Sequence, residues 1–442
     1  MKITLLEVYS RKPQYINKDV VGTYGMVAEI GDSFLAKIIE RSKKKSISMP
    51  VLSLPYLAAI FKQSGHEVQY KFNEVPQGAD LVIIPSSIVD FKREVDFAKK
   101  IKKETKAKIG FFGPFASCFP EIYLEAADFV ISGEPESAAY KIAEENIPKG
   151  VVVSEHIEDL NSLPAPYWDI FPIKDYSYMP NLKKRPFLPV LSSQGCVYNC
   201  LYCPHKAYFG KLRVRRPDLV VQELKSLKEK YGIKSFQFRD SLFTADRARV
   251  LKIIDGMLKN NFNLEWGCET HVNYLDTELI DRMYEAGLRA MNLGIESADT
   301  EILKNASRIS ANKQKEMDII AYCHKKGINI AAFYIFGMPD DTRKTILNTI
   351  KYAKRLNTLV AQFFIFTPFP GTVYYDKLKN DIFEPDFERF TSFNPVFRHR
   401  HLSREELLEL KEKAFISYYF RPAYFFKHFR RHFNLWIKGI FN

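Results

Sequence analysis

From residue 187 onward the chain repeats one pattern six times: a short apolar run, then an amphipathic stretch long enough for a helix. The runs are "FLPVLSS", "SFQFRDS", "LEWGCET", "AMNLGIES", "NIAAFYIFG" and "VAQFFIFTP". Between them lie stretches such as "PDLVVQELKSLKEKYG" and "DRARVLKIIDGMLKNN", with apolar residues at spacings of three and four. Strands that each feed a helix need crossover connections, which make them parallel. Six such units predict a barrel or an open partial barrel, with function gathered at the carboxyl ends of its strands. Polar residues fall there: Cys196 just beyond strand one, Asp240 on strand two, Glu269 and His271 on strand three, Glu296 and Ser297 on strand four, Gly337 on strand five and Thr367 on strand six. Ser297 and Thr367 read as turn or capping residues, and together the set outlines one mouth.

Ahead of this lies a second alternating series: "ITLLEV", "YLAAIFKQSG", "HEVQYKF", "DLVIIPSS", "VDFAKKIKKET", "KIGFFGP", "DFVISGE" and "SAAYKIAEEN". Runs of β-branched and aromatic residues separated by helical segments predict a Rossmann-like α/β domain, a parallel sheet with helices on both faces. Its ligand loops are expected at the strand ends, Pro85 to Ser87, Gly113 to Phe115 and Gly133 to Glu136. No GxGxxG follows the first strand, which argues against a dinucleotide. The predicted organisation is a Rossmann-like domain over 1–148, a proline-punctuated linker over 149–186, the partial (β/α)6 barrel over 187–380 and a helical C-terminal region over 381–442. Ser403 and Glu406 form a capping box for the helix that closes the fold.

A chain of 442 residues has room for two or three domains. No run approaches the roughly 18 apolar residues of a membrane span, and "MKITLLEVYS" lacks the layout of a signal peptide, so the expected location is the cytoplasm. Six cysteines are too few for a disulfide scaffold, and in a reducing compartment a local cluster of them indicates metal or catalysis. Cys268 and Cys323 read as core residues. The net charge of +13 comes largely from dispersed lysines on solvated helix faces, and no nucleic-acid partner is expected.

The cluster is "SSQGCVYNCLYCPH", where Cys196, Cys200 and Cys203 fall within eight positions. Thiolates hold iron–sulfur clusters, and a cubane has four iron corners. Three cysteines leave one corner vacant, as a catalytic zinc keeps an open position. The alternative is structural zinc with His205 as fourth ligand. The segment "GCVYNCLYCPH", on the loop after the first strand of a six-repeat barrel, resembles the radical SAM enzymes. Tyr202 matches the aromatic residue that precedes their third cysteine. The likeness continues through "MNLGIES", "YIFGMPDDT" and "FTPFPGTVYY". It implies a 4Fe-4S cluster on Cys196, Cys200 and Cys203, whose remaining iron chelates S-adenosyl-L-methionine and cleaves it to a 5′-deoxyadenosyl radical. It further implies Tyr202 beside the adenosyl group, Asp240 as acceptor of the S-adenosylmethionine ammonium, and Glu296 as a partner of its ribose or of the substrate.

The first half resembles the cobalamin-binding domain that precedes the barrel in one radical SAM subgroup, through "MPVLSLPYLAAIFKQSGHEVQY", "ADLVIIPSS", "FFGPFASCFPEIYLEAADFVISGEPE" and "LNSLPAPYWD". Ser86, Ser87, Gly113, Gly133 and Glu134 are the candidate cofactor-binding residues of its loops. There is no DxHxxG motif, so no histidine is expected on cobalt. Two positions depart from the subgroup: Ser53 stands where glycine is usual, and Pro114 replaces the second glycine of a pair that would let the backbone approach a corrin closely. Methylthiotransferases carry three further N-terminal cysteines, and only Cys118 occurs here. The resemblance implies cobalamin-dependent methylation of an unactivated carbon. The alternatives are a cobalamin-free dehydratase, epimerase or cyclase, and a zinc-stabilised nucleic-acid or membrane binding protein.

Beyond Ala423, Phe425, Phe429, Phe433, Trp436 and Ile440 recur at spacings of three and four, with Lys427, Arg430, Arg431 and Lys438 between them. This predicts an amphipathic helix over 423–441, fit either to pack on the barrel or to lie on an anionic membrane surface. The expected partners are a small-molecule, lipid or glycan substrate and an external electron donor of the flavodoxin or ferredoxin type.

Overall fold

The computed structural model describes residues 1–11, 16–44, 47–144 and 147–428. Two six-stranded parallel sheets dominate it. The first contains β1 (Lys2–Glu7), β2 (Glu67–Phe72), β3 (Leu81–Pro85), β4 (Lys108–Phe112), β5 (Phe129–Ser132) and β6 (Gly150–Val153), in the spatial order β2-β1-β3-β4-β5-β6. β3 is "LVIIP" and buried throughout, as expected of a parallel strand covered on both faces. β6 was read in the sequence as the start of the linker. It is an edge strand with alternately exposed valines, and its first residue, Gly150, has a positive φ of 73°.

The second sheet contains β7 (Phe187–Val190), β8 (Ser235–Phe238), β9 (Glu265–Thr270), β10 (Leu288–Glu296), β11 (Asn329–Phe336) and β12 (Val360–Ile365), paired in simple sequence order. β7 and β12 do not pair with each other, so the barrel is open along one side. Pro189 is tolerated because β7 is an edge strand.

That open side is covered by a segment no periodicity in the sequence announced. Between β1 and helix α2 (Ser53–Gln63) the chain forms a small antiparallel pair, Ile16–Asn17 with Met26–Val27, and helix α1 (Phe34–Lys44). Ile47–Ser48 then pairs with Ser177–Tyr178 of the linker. Tyr178 stacks on Phe187 of β7 at 5.9 Å, and its hydroxyl accepts from Asn292 of β10 at 2.6 Å. Insertion and linker thus complete the wall that β7 and β12 leave open.

The closing helix α3 (Arg404–Tyr419) begins at the predicted capping box: Ser403 Oγ accepts from Glu406 N at 3.1 Å, and Glu406 Oε2 from Ser403 N at 3.0 Å. Residues 422–428 continue as helix. The remainder of the amphipathic pattern, including Phe429, Phe433, Trp436 and Ile440, lies outside the described residues. Among the described residues no helix is long and apolar enough to cross a membrane.

Candidate active site

One cavity of about 1920 Å³ runs through the barrel, bounded by the cysteine loop, the strand interiors, the insertion and the C-terminal helix. Cys196 and Cys203 line it and are partly exposed toward it, while Cys200 is buried behind them. Several contacts fasten the loop. Gly195 has a φ of 79° and lies against the carbonyls of Gly210 and Lys211, where a side chain would clash. Its own carbonyl accepts from Ser241 Oγ at 2.5 Å, and Lys206 Nζ donates to Cys196 O at 2.9 Å. Ser193–Gln194 pairs with Arg213–Val214 beneath. Burial pushes the Cys203 thiol up to about 12, and the charges of Cys200 and Cys196 add to that. Their exposure is to a protein-walled cavity, so metal binding there must displace protons that water alone would not remove.

Glu296 is aimed into the cavity by the backbone. A register shift between Gly294 and Glu296 interrupts the pairing of β10 with β11, and Glu296 adopts a φ of 59°, rare for a residue with a side chain. Its carboxylate stands 3.9 Å from Arg308, whose Nη2 donates to Gly294 O at 2.7 Å. Gly294 makes this approach feasible, since a Cβ there would lie 2.6 Å from Glu296 Oε1 and 2.9 Å from Arg308 Nη2. Burial raises the Glu296 carboxyl above its ordinary range, partly offset by Arg308 and by a hydrogen bond from Tyr202. Arg308 also bears on Cys200. Cysteine, tyrosine, glutamate and arginine therefore form one group at the cysteine end.

Asp240 is a correction. It is fully buried and does not line the cavity. Its oxygens accept from Ser192 N at 2.8 Å, Ser192 Oγ at 2.5 Å and Ser193 Oγ at 2.6 Å, and Arg249 stands 3.5 Å away. With its lone pairs spent on the turn that launches the cysteine loop, it fixes that turn and is not placed to receive an ammonium. Its neighbour Arg239 faces the cavity instead. Arg239 Nε donates to Asp19 Oδ2 at 3.0 Å, Nη2 donates to Asp19 O at 2.8 Å, and Nη1 pairs with Glu269. This ties the insertion to the mouth of the barrel. Sequence reasoning missed Arg239, Asp19 and Arg308; only an inward register for Arg239, one residue out of step with Asp240, could have signalled the first.

The candidate loops of the first domain are also turned elsewhere. Ser86 Oγ accepts from Ala116 N at 3.2 Å, and a Cβ on Gly113 would lie 2.7 Å from that oxygen. Ser87 donates through Oγ and N to Glu94, at 2.6 and 3.1 Å. Lys18 of the insertion enters the same crevice and donates to Glu94 and to Val8 O, each at 2.5 Å. Gly133 O accepts from Tyr208 at 2.5 Å, and Glu134 pairs with Arg213 at 2.9 Å, both on the segment after the cysteines. None of the five lines the cavity. Besides the insertion, the first domain reaches it through Ser53, Tyr56 and Glu136. Pro114, the substituted glycine position, is buried at the start of a short helix, Pro114–Cys118.

The donor set suits a cluster with an open corner. Three cysteines share one loop at the cavity wall, and two buried lining atoms, His205 Nε2 and Asn292 Oδ1, have no protein partner. His205 instead packs its ring on Phe209 at 4.5 Å, and burial pushes it down to about 3, so the ring is neutral. A cubane takes its thiolates at separate corners.

The sequence profile of the Radical SAM superfamily matches residues 190–353. The uncharacterized methyltransferase PH0819 of Pyrococcus horikoshii is 28% identical over 426 residues, covering 88% of this chain and 92% of its own. The bacteriochlorophyllide d C-12(1)-methyltransferase of Chlorobaculum tepidum is 25% identical over 388 residues, covering 82% and 81%. Among solved structures, the radical S-adenosylmethionine methyltransferase TsrM from Kitasatospora setae, with cobalamin and a 4Fe-4S cluster bound, has a TM-score of 0.62 at 16% identity, covering 86% of this chain and 74% of its own. OxsB, a cobalamin-dependent radical enzyme with aqua-cobalamin bound, has a TM-score of 0.57 at 14% identity, covering 88% and 56%. At such identities the structural likeness speaks for the fold. With the cysteine loop, the open six-stranded barrel and the preceding parallel-sheet domain all in place, the chain carries a Radical SAM superfamily domain over residues 190–353 and shares the fold of TsrM and OxsB.

Proposed function

We propose that this enzyme methylates an unactivated carbon, using a 4Fe-4S cluster, S-adenosylmethionine and cobalamin. The observation that carries the reading is the cysteine loop at the wall of a cavity to which both domains contribute. The curated methyltransferase relatives and the cobalamin bound in TsrM and OxsB support it. When bound, these groups supply a 5′-deoxyadenosyl radical able to take hydrogen from carbon, and a methyl group to replace it.

The chain's own part is placement. Cys196, Cys200 and Cys203 would hold three irons as thiolates, and their loop is anchored at the cavity wall through Gly195, Ser241 and Lys206. Glu296, tied to Arg308 beside Tyr202, is the carboxylate best placed to accept the ammonium of S-adenosylmethionine. The cation Arg308 near Cys200 favours the thiolate. Leu52, Ser53, Tyr56 and Glu136 are the first-domain residues that would border cobalamin. Holding donor and acceptor in one walled space is the source of rate, since orientation replaces a bimolecular encounter.

A second reading, cobalamin-free radical chemistry, is favoured by one observation: the crevice at Ser86, Ser87 and Gly113 is filled by Lys18 and Glu94. Anaerobic reconstitution decides between them. About four irons per chain, with cleavage of S-adenosylmethionine, supports radical chemistry. Stoichiometric cobalt, with S-adenosylhomocysteine formed beside 5′-deoxyadenosine, supports methylation; iron without cobalt supports the second reading. Cys200→Ala should lose both iron and cleavage, and full cleavage in that variant overturns the assignment. The proposed setting is cytoplasmic, with a flavodoxin- or ferredoxin-type donor and peripheral membrane contact through 423–441.

A further inference from the structure

The cavity is polar on one wall and apolar on the other. Strands β9 and β10 turn Glu269, Asn292 and Glu296 into it, with Arg239 just beyond β8. With the strand period of two, β11 turns in Ala331, Phe333 and Ile335, and β12 turns in Val360, Gln362 and Phe364. Phe333, Ile335 and Phe364 are partly exposed although they sit within regular strands, and what they are exposed to is this cavity. At about 3.3 Å per residue, the path from Val360 to Phe366 covers about 20 Å. One end of that path is the cysteine end, where Phe366 and Ile335 cluster with Tyr202. The other is an aromatic rim, where the hydroxyl of Tyr424 donates to Leu359 O at 2.8 Å and that of Tyr419 donates to Ala361 O at 2.9 Å. Phe420 and Phe425 line the cavity there and are 45% and 52% exposed, so this end meets solvent. Helix α1 supplies the facing side through Ile38 and Ile39, with Arg41 exposed at its end.

We propose that this apolar lane holds the hydrocarbon chain of an amphiphilic substrate, inserted through the aromatic rim with its far carbons directed at the cysteine end and its polar head left at the rim beside Arg41. The proposal rests on the radical reading of the cysteine end and is independent of cobalamin. An amino acid or nucleotide brings charged groups that need partners at every depth, whereas the β11 and β12 stretch of this wall offers one polar side chain, Gln362, already engaged by Lys43 of α1. A chain presents carbons with no activating neighbour to the cysteine end, which is the problem radical chemistry solves.

The test uses the full-length, iron-reconstituted protein with radiolabelled octanoate, dodecanoate and hexadecanoate in solution, the same chains as phosphatidylglycerol in phosphatidylcholine vesicles, and protoporphyrin IX. Saturable binding of one chain per protein is expected, tightening by up to about fourfold per added methylene as each is buried. Binding of the free acids identifies a soluble source, binding only from vesicles identifies the bilayer, and either upholds the proposal. Ala331→Trp and Phe364→Trp, which narrow the lane from adjacent strands, should each weaken hexadecanoate at least tenfold. Affinity independent of chain length overturns it, as does protoporphyrin binding without chain binding. So does wild-type affinity in both variants when their circular dichroism is native. Iron content and S-adenosylmethionine cleavage are read on the same sample. Cleavage without chain binding sinks this inference alone; chain binding without iron upholds the lane and sinks the radical reading.

Discussion

Replacing Asp240 by Asn separates a positioning carboxylate from a ligand-binding one. The carboxylate has no solvent exposure, accepts three hydrogen bonds from Ser192 and Ser193, and faces Arg249 at 3.5 Å. Arg249 is itself buried and bonds Ser192 O at 3.2 Å and Phe243 O at 3.3 Å. Asparagine keeps one carbonyl oxygen for Ser192 N, and the two serine hydroxyls can rotate to accept from its amide. What is lost is the charge opposite a buried guanidinium. Removing one partner of a buried pair costs about 3–5 kcal/mol, and because the amide retains part of the network the expected loss is near the lower figure, about 3 kcal/mol. That is a shift of more than a hundredfold in the folding equilibrium, read by urea unfolding of the metal-free protein. Affinity for S-adenosylmethionine in the folded, iron-loaded variant should change less than about twofold, because the group does not face the cavity. Adding Arg249→Met should restore most of the stability, since no charge is then left unpaired. A variant within about 0.5 kcal/mol of wild type that binds S-adenosylmethionine tenfold more weakly would refute the placement of Asp240.

Gly294→Ala places a methyl group 2.6 Å from Glu296 Oε1 and 2.9 Å from Arg308 Nη2, both ends of flexible side chains. Stability should fall by less than about 1 kcal/mol, while cleavage of S-adenosylmethionine drops roughly a hundredfold through misplacement; equal rates would show that Glu296 is not a contact. Arg239→Met cuts the tie between Asp19 and Glu269. Proteolysis of residues 16–52 should accelerate at least tenfold, with Arg239→Lys intermediate because it loses the fork that reaches both carboxylates. Asp341, which accepts from Gly337 N, Met338 N and Thr345 Oγ1, is pushed by burial from its ordinary 3.8 up to about 7. The folded state therefore holds the proton more tightly than the unfolded one. Its contribution is fully present below about pH 4 and is lost as pH rises to about 7, on the order of 4 kcal/mol in all. Asp341→Asn should flatten that part of the stability profile, and identical slopes for variant and wild type would contradict it.

Every barrel strand was legible because six apolar runs alternate with helical periods, which makes the strands parallel; their pairing in sequence order is not fixed by that pattern, since the same alternation in the first domain gives the order β2-β1-β3-β4-β5-β6. The cysteine loop was legible because its spacing is chemical. Asp240 was misread because a polar residue at a strand end looks the same whether it faces the cavity or the turn behind it. Only the serines at 192 and 193, themselves part of an apolar run, decide the matter. Glu296 faces inward by virtue of a bulge and a positive φ, neither of which leaves a period to read. The insertion at 16–52 was invisible for a related reason: its contacts with Arg239, the linker and α3 join residues remote in sequence, and its short strands are too brief to announce themselves.

The insertion has a consequence for how such enzymes diversify. The side of the barrel that β7 and β12 leave open is walled by a segment that belongs, in sequence, to the other domain. The two domains are therefore not separable modules: a barrel transplanted alone would expose Phe333 and Phe364 to water, and a foreign first domain would bring its own wall. Lengthening or trimming this segment alters the space beside the cysteines without touching a strand or a ligand. Variation in what such enzymes act on should accordingly concentrate between the first strand and the first long helix, far in sequence from the residues that carry the chemistry.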